Sequence, residues 1–187
     1  MKPFYSVKMK AKIENIVSSI LLGQDIDLEE FASSVEGIEN PKRFPGVIFR
    51  TSQPKLAMLI FRTGKVICSG ARSREDIEMG VQKLLKKFRK AGIIMAAKPK
   101  IEIQNIVASS NLNFRVNLDV LAIECENTEY EPEQFPGLIF RLDEPKTVML
   151  IFRSGKIIVT GAKTQRDADI AAEMTRDIIK KTNAVIG

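Results

Sequence analysis

Ten cationic side chains recur as five matched pairs, with the two members of each pair 91 residues apart. The pairs are Arg50 with Arg141, Lys55 with Lys146, Arg62 with Arg153, Lys65 with Lys156, and Arg72 with Lys163. Guanidinium and ammonium groups are the side chains that hold phosphates, so a duplicated set of them indicates a phosphate-bearing ligand. Charges at turns and strand ends are commonly just solvated, and for any one of these residues that alternative stays open.

The residue types that carry most enzymatic chemistry are absent or in the wrong context. The chain has no histidine. Gly155-Lys156 and the "GAKT" stretch lack the spaced upstream glycine of a phosphate-binding P-loop. Cys68 and Cys125 each stand where the other half of the chain has a valine, which predicts two small core residues and leaves a disulfide or a reactive thiol as the alternative. We therefore expect no enzyme, no cofactor and no metal.

A second duplicated feature is a seven-residue motif headed by phenylalanine. It reads "FPGVIFR" at 44–50 and "FPGLIFR" at 135–141. The likeness extends without a gap over residues 45–71 and 136–162, and "IENIVSS" upstream matches "IQNIVAS". Two copies of about 90 residues are too few and too long for a solenoid, so they indicate a duplicated domain with a pseudo-twofold axis. We place the first repeat at 1–95 and the second at 96–187.

Each repeat predicts the same series of elements. A strand containing Asn-Ile-Val precedes a short helix, whose apolar stripe in the first copy is Leu28, Phe31, Ala32 and Val35. Strands joined by tight turns follow, with "RTGK" and "RSGK" as turn sequences. A longer amphipathic helix begins at the capping signals Ser73-x-x-Asp76 and Thr164-x-x-Asp167. This order predicts an α+β fold with an antiparallel sheet and helices on one side.

The predicted strands are apolar on both faces. In "AMLIFR", Leu59 and Phe61 share one face while Met58 and Ile60 share the other. Two helices per repeat can cover only one face of a sheet, and an antiparallel sheet with a solvated face should show polar residues there. The second face must therefore meet a ligand, a second copy of the chain or the other repeat.

Composition and charge narrow the class of protein. The net charge is +6, with 17 basic and 10 acidic residues in 1–95 against 12 and 13 in 96–187. The excess of cations favours a polyanionic partner. No apolar run approaches the roughly 20 residues that span a bilayer, and the start "MKPFYSVKMK" lacks the apolar core of a signal peptide. An intracellular protein without membrane contact is expected.

Together these motifs resemble the TATA-box-binding protein family. The resemblance rests on "QNIV", "YEPEQFPGLIFR", "EPK", "MLIFRSGK" and "VTGAK", in order and spacing, and it extends over nearly the whole chain. The short ends and the closely similar repeats are more like archaeal members than nuclear ones. The resemblance implies a saddle: a curved antiparallel sheet whose concave face sits on the minor groove, with helices on the convex face. It also implies apolar wedges and a DNA kink, which for this family is roughly 80°.

The resemblance assigns roles residue by residue. It implies DNA-intercalating wedges at Phe44, Phe61, Phe135 and Phe152. It implies a minor-groove floor at Asn15, Val17, Leu59, Ile67, Ser69, Asn105, Val107, Leu150, Ile158 and Thr160, with the asparagines, Ser69 and Thr160 as central hydrogen-bonding groups. The family usually has threonine at the Ser69 position, so the fit of the two repeats is expected to differ there. The ten matched cations, from Arg50 to Lys163, are the implied phosphate contacts, and the implied contacts to transcription factor B are Glu131, Glu133 and Gln134.

The implied function is that of a general transcription initiation factor. It would bind A·T-rich promoter DNA, bend it, and recruit transcription factor B and RNA polymerase, with regulators on the helices and a homodimer when free of DNA. Its place would be the cytoplasm, at the archaeal nucleoid, or the nucleus in a eukaryote. Two alternatives stay open: an apolar-faced homodimeric interaction protein, and a nucleic-acid-binding module that does not bend DNA.

Overall fold

The computed structural model describes residues 8–187 of the chain. The chain divides into two compact units. The N-terminal unit is Asn15–Gln104, and the C-terminal unit is Asn105–Gly187 together with the segment that ends at Glu14. Each unit contains a five-stranded sheet and two helices in the same chain order.

The sheet of the N-terminal unit is antiparallel throughout. Its strands are β1 (Lys12–Leu21, which begins in the preceding segment), β2 (Ile38–Glu39), β3 (Gly46–Ser52), β4 (Lys55–Phe61) and β5 (Lys65–Ala71), and its helices are α1 (Leu28–Ser34) and α2 (Arg74–Lys90). The strand order is β2-β3-β4-β5-β1. This confirms the antiparallel sheet predicted from the turn spacing.

The C-terminal unit repeats that order. Its strands are β6 (Lys100–Asn111, which begins in the N-terminal unit), β7 (Arg115–Val116), β8 (Thr128–Glu129), β9 (Leu138–Leu142), β10 (Thr147–Ile151), β11 (Lys156–Ala162) and β12 (Val185–Ile186), and its helices are α3 (Leu118–Glu124) and α4 (Gln165–Lys181). The main sheet has the order β6-β11-β10-β9-β8, and β7 pairs with β12. The strands β2, β7, β8 and β12 were not predicted, because two residues are too few to show a period.

The two long helices begin where the capping signals placed them. The Ser73 hydroxyl accepts from the Asp76 backbone N–H at 3.1 Å, and Thr164 does the same for Asp167 at 3.0 Å. Each bond satisfies one of the backbone donors that a helix start leaves unpaired. Helix α2 ends just before Gly92, which has a φ of +76°, as expected for a helix C-terminus.

The short helices are shorter than the apolar stripe predicted. Helix α1 ends at Ser34, and Val35 is already extended at φ −139° and ψ 134°. Cys125 follows α3 in the same extended conformation. The last position of the predicted stripe, Val35 in the first copy and Cys125 in the second, is therefore outside the helix.

The core of the N-terminal unit lies between the helices and one face of the sheet. The rings of Phe31 in α1 and Phe88 in α2 are 4.5 Å apart, and neither side chain is exposed. Gly80 brings α2 close to β4, since a Cβ there would lie 2.5 Å from the ends of Leu56 and Met58. Helices packed on one face of an antiparallel sheet confirm the predicted α+β architecture.

Candidate nucleic-acid interface

One face of each sheet is partly open and apolar. Along β4, Met58 and Ile60 are fully buried toward the helices, while Leu59 between them is only half-buried. Along β10, Met149 is buried and Leu150 is half-buried in the same alternation. The open faces therefore carry aliphatic side chains that the unit's own helices do not cover, as the sequence predicted.

The ten predicted floor residues are all half-buried and lie on the sheet strands. They are Asn15, Val17, Leu59, Ile67 and Ser69 in the N-terminal unit and Asn105, Val107, Leu150, Ile158 and Thr160 in the C-terminal unit. Strand register brings them together: Leu59 is directly opposite Ile67, and Leu150 is directly opposite Ile158. Directly opposed residues of an antiparallel pair share a face, so each pair forms one continuous apolar patch.

Four further residues belong to the same open faces. Ile48 is opposite Leu59 and Ala57 is opposite Ser69; in the other unit, Ile139 is opposite Leu150 and Val148 is opposite Thr160. All four are half-buried. They were not predicted from the sequence, although the alternation within "GVIFR" and "TVMLI" carried the signal.

Two asparagines are fixed in orientation by glycine backbones. The side-chain oxygen of Asn15 accepts from the Gly70 N–H at 2.7 Å, and that of Asn105 accepts from the Gly161 N–H at 2.6 Å. Both glycines have positive φ, 97° and 92°, which aims their N–H groups at the amides. Because only the amide oxygen can accept such a bond, each side chain must present its NH₂ group as the remaining donor.

The two units differ at the residue next to the asparagine amide, which is Ser69 beside Asn15 and Thr160 beside Asn105. The Asn105 NH₂ group donates to the Thr160 hydroxyl at 3.2 Å. Asn15 makes no such bond to Ser69 within residues 8–187, so its NH₂ group is left with more freedom. The difference that the sequence predicted at Ser69 therefore extends to the neighbouring amide.

The four predicted wedge residues form two matched ring pairs. The centroids of Phe44 and Phe61 are 5.7 Å apart at an interplanar angle of 59°, and those of Phe135 and Phe152 are 5.9 Å apart at 68°. Such tilted contacts are favourable for aromatic rings. Phe135 is 36% exposed and the other three rings are half-buried. Four large aromatic side chains are thus held partly in solvent, two in each unit.

The glycine of each FPG motif makes room for its ring pair. A Cβ on Gly137 would lie 2.7 Å from the Phe135 ring and 3.1 Å from the Phe152 ring. A Cβ on Gly46 would lie 2.5 Å from the Ile60 carbonyl oxygen and 3.0 Å from the Phe44 ring. The repeated motif therefore combines a ring, a stiff proline and a residue without a side chain, so that two rings fit over one strand end.

All ten matched cations are exposed. By strand alternation, five of them lie on the open face: Arg50, Lys55 and Lys65 in the N-terminal unit, and Arg141 and Lys156 in the C-terminal unit. Lys146 lies in the turn just before β10. Arg62 and Arg153 directly follow the wedge residues Phe61 and Phe152. Three of the arginines carry a carboxylate partner that sequence reasoning missed: Arg50 with Glu39, Arg141 with Glu129, and Arg153 with Asp119.

The fifth pair of cations, Arg72 and Lys163, lies between a strand and a helix in each unit. Strands β5 and β11 end one residue earlier, and the cap residues of α2 and α4 come directly afterwards. The Arg72 backbone N–H donates to the Asp76 carboxylate at 2.9 Å, which ties this connection to the start of α2. Strand alternation therefore does not assign Arg72 or Lys163 to the open face, and the phosphate contacts of both residues stay predictions.

The predicted partner-binding residues lie on the turn that leads into Phe135. Glu131, Glu133 and Gln134 are all exposed. The Glu131 carbonyl accepts from the backbone N–H groups of Gln134 and Phe135, each at 3.0 Å. This turn places three polar side chains next to one wedge ring.

The cysteines and the acidic residues form no metal or redox site in the part of the chain that the structure describes. Both cysteines are free thiols, so the disulfide alternative is wrong. Cys68 is fully buried, and burial raises its pKa from 9.0 to about 11. Cys125 is half-buried rather than a core residue, which corrects the prediction for that position; burial and the nearby Glu124 raise its pKa. Among residues 8–187, no helix is both long and apolar enough to cross a membrane.

Comparisons with known proteins agree with this geometry. The family model described as "Transcription factor TFIID (or TATA-binding protein, TBP)" matches residues 10–91 and again 100–182. The chain is 50% identical to the TATA-box-binding protein of Methanocaldococcus jannaschii over 171 residues, which covers 91% of this chain and 93% of the relative. It is 48% identical to that of Archaeoglobus fulgidus over 167 residues, covering 88% and 91%.

A solved structure extends the comparison to the fold. It is the Methanococcus jannaschii TBP, with a TM-score of 0.86 and 49% identity, covering 92% of this chain and 99% of that one. Two matches to the family model, relatives at this identity and a common fold lead to one conclusion. The chain is an archaeal-type member of the TATA-box-binding protein family.

Proposed function

We propose that this chain binds the minor groove of A·T-rich promoter DNA, bends it by inserting phenylalanine rings, and thereby initiates transcription. The observation that carries the proposal is a partly open aliphatic face in each unit, with one ring pair and five exposed cations. The curated relatives are named as TATA-box-binding proteins, which supports the same activity here. Each repeat, 1–95 and 96–187, would contact one half of the DNA site.

The aliphatic floor accounts for A·T preference. In the minor groove, A·T and T·A pairs show only acceptors, whereas G·C adds the guanine amino group as a donor. Leu59, Ile67, Leu150 and Ile158 have no acceptor for that donor, so a guanine would be buried with an unpaired polar group. The same apolar surface accepts A·T in either orientation.

The asparagines would supply the central polar contacts of the site. Asn15 and Asn105 are held with their NH₂ groups available, and adenine N3 and thymine O2 are acceptors. Their donors therefore match the only groups that an A·T minor groove presents. Because the Asn105 amide also bonds to Thr160, the C-terminal unit offers a more fixed donor than the N-terminal unit.

The ring pairs are the wedges. An aromatic ring inserted at a base step replaces part of the stacking that is lost when the step opens, and the duplex bends toward its major groove. Phe44 and Phe61 would open one step, and Phe135 and Phe152 the other. The bend wraps the duplex so that its phosphates approach the exposed cations.

The proposed function involves no catalysis, membrane or cofactor, and the protein would act wherever promoter DNA lies, at the archaeal nucleoid. Its proposed partners are the DNA, transcription factor B and, through that factor, RNA polymerase. Regulators would bind the helices. In the absence of DNA, two copies of the chain would pair through their open faces, and DNA would compete with this pairing.

Substituting base pairs in the DNA tests both the recognition of the minor groove and the role of the apolar floor. Binding would be measured by fluorescence anisotropy on three duplexes: a TATA-like site, a G·C-substituted site, and a site with inosine·cytosine pairs. Inosine lacks the guanine amino group, so inosine·cytosine presents an A·T-like minor groove with a G·C-like major groove. We expect the inosine site to bind like the A·T site and the G·C site to bind far more weakly. Inosine binding as weak as G·C would contradict minor-groove recognition.

Charge reversal tests the proposed partner surface. Glu131→Lys combined with Glu133→Lys reverses two exposed carboxylates beside Phe135. We expect the complex of protein, DNA and transcription factor B to weaken, while binding to DNA alone is retained. Gel-shift titrations with and without the factor distinguish the two. If both assemblies were lost together, these residues would belong to the DNA-binding surface instead.

A further inference from the structure

Each unit holds one of its proposed phosphate-binding arginines in an ion pair with a glutamate on a two-residue edge strand. Arg50 Nε is 3.0 Å from Glu39 Oε1, and Arg141 Nη2 is 3.2 Å from Glu129 Oε1. The arginines lie 91 residues apart and the glutamates 90. The pair is thus duplicated in position, with a different guanidinium nitrogen making the contact in each unit.

The register places both glutamates on the open face. Glu39 is opposite Ile48, and Glu129 is opposite Ile139. Ile48 and Ile139 are half-buried on that face, and directly opposed residues share a face. The carboxylates therefore lie at the outer edge of the same surface as the aliphatic floor.

The ion pairs offer little to the fold. Between 54% and 63% of each of the four side chains is exposed. Ion pairs that are this exposed are strongly screened by water and salt and contribute little to stability. A carboxylate beside a phosphate-binding cation has a clear electrostatic effect, however, because it neutralises that cation and repels the incoming phosphate.

We propose that Glu39 and Glu129 are built-in competitors of the DNA phosphates, which hold Arg50 and Arg141 and lower the affinity of the open face for DNA. The inference rests on the proposed function, since it needs those arginines to approach a duplex. An arginine in such a pair exchanges its carboxylate for a phosphate on binding. The carboxylate that is left beside the DNA then attracts a cation from solution, so the net release of counterions is smaller than for an arginine without such a partner. The pairs thus restrain the general attraction of a basic protein for any duplex.

The test is the salt dependence of DNA binding in glutamine variants. Glu39→Gln, Glu129→Gln and the double variant keep the side-chain shape and remove the charge. If each freed arginine releases about one more counterion, the slope of log K against log salt becomes steeper by about 0.9 per variant and about 1.8 for both. We then expect the double variant to bind at least about tenfold more tightly near 100 mM salt. Unchanged or weaker binding, or an unchanged slope, would overturn the inference.

A matched control separates this effect from a general change in charge. Glu78 in α2 pairs with Arg74 at 3.1 Å, with 54% and 55% of the two side chains exposed, but it lies on the helix layer. Glu78→Gln alters the net charge equally and should leave the slope near that of the parent chain. If Glu78→Gln steepened the slope as much as Glu39→Gln does, the proposed local competition would be overturned.

The role of the arginine is tested by a double-mutant cycle. In a chain that already carries Arg50→Gln, Glu39→Gln should lose most of its effect, because the competing carboxylate acts through Arg50. A full effect without Arg50 would contradict the ion-pair mechanism. Failure of the parent chain to bind a TATA-like duplex at low salt would overturn the proposed function, whereas normal parent binding with inert glutamine variants would overturn only this inference.

Discussion

At the scale of single residues, the ring pairs depend on neighbours that have no chemistry of their own. Gly46 and Gly137 leave the volume that Phe44 and Phe135 occupy, and a methyl group at either position would overlap a ring or the neighbouring strand. The sequence shows the FPG motif twice, but it does not show which atoms the glycines avoid. That reason becomes visible only when two strand ends are placed side by side.

Thiol reactivity is a prediction at the same scale. Burial raises the pKa of Cys68 to about 11, so in the folded protein the thiol stays protonated until the pH approaches that value. Since only the thiolate reacts, Cys68 should resist a disulfide reagent near pH 8, and Cys125, which is only half-buried, should react first. Counting modified thiols by mass spectrometry, with and without denaturant, checks this. Equal rates for the two thiols in the folded protein would contradict it.

At the scale of elements, matched turns fix the strand pairs that carry the floor. In "RTGK" and "RSGK", Gly64 and Gly155 have φ values of +77° and +87°. A Cβ at these positions would lie 2.0 Å from the carbonyl oxygens of Gln24 and Phe114, respectively. The same glycines accept backbone bonds from Leu22 and Leu112, so each turn also holds the chain that leaves the first strand of its unit.

Substitution of the turn glycine tests this close approach. Gly64→Ala combines a left-handed conformation with a backbone clash, and we expect it to lower the free energy of unfolding by about 2–4 kcal/mol. Gly92→Ala is the control, because Gly92 has nearly the same φ but nothing within 4 Å of the added methyl. We expect Gly92→Ala to lower the free energy of unfolding by about 1 kcal/mol. Chemical denaturation measures both, and equal losses would show that conformation alone sets the cost.

The sequence predicted the long elements well and the short ones poorly. Tight-turn sequences located the longer strands, and capping signals with apolar stripes located α2 and α4, because each of these elements is long enough to show its pattern. The two-residue strands β2 and β8 have no period, and they form only because longer neighbours offer a free edge. The ion pairs of Arg50 and Arg141 depend on those strands, so they too could not be predicted.

At the scale of the whole molecule, duplication is the source of most of what the sequence revealed. The chain shows each proposed wedge, cation and floor position twice, and the resemblance to the TATA-box-binding protein family then assigned a role to each matched pair. The same duplication hid the differences: the Asn105–Thr160 bond has no counterpart at Asn15 within residues 8–187, and Asp119 pairs with Arg153 in the C-terminal unit. Such contacts depend on where each side chain lies in the folded unit, which the residue types alone do not specify.

DNA bending is the central claim, and one measurement tests it directly. A short duplex labelled at both ends would be titrated with the protein, and energy transfer between the labels would report the end-to-end distance. We predict a large, protein-dependent shortening on a TATA-like site and none on its G·C-substituted control. Binding to the TATA-like site without any shortening would contradict the assignment of Phe44, Phe61, Phe135 and Phe152 as wedges.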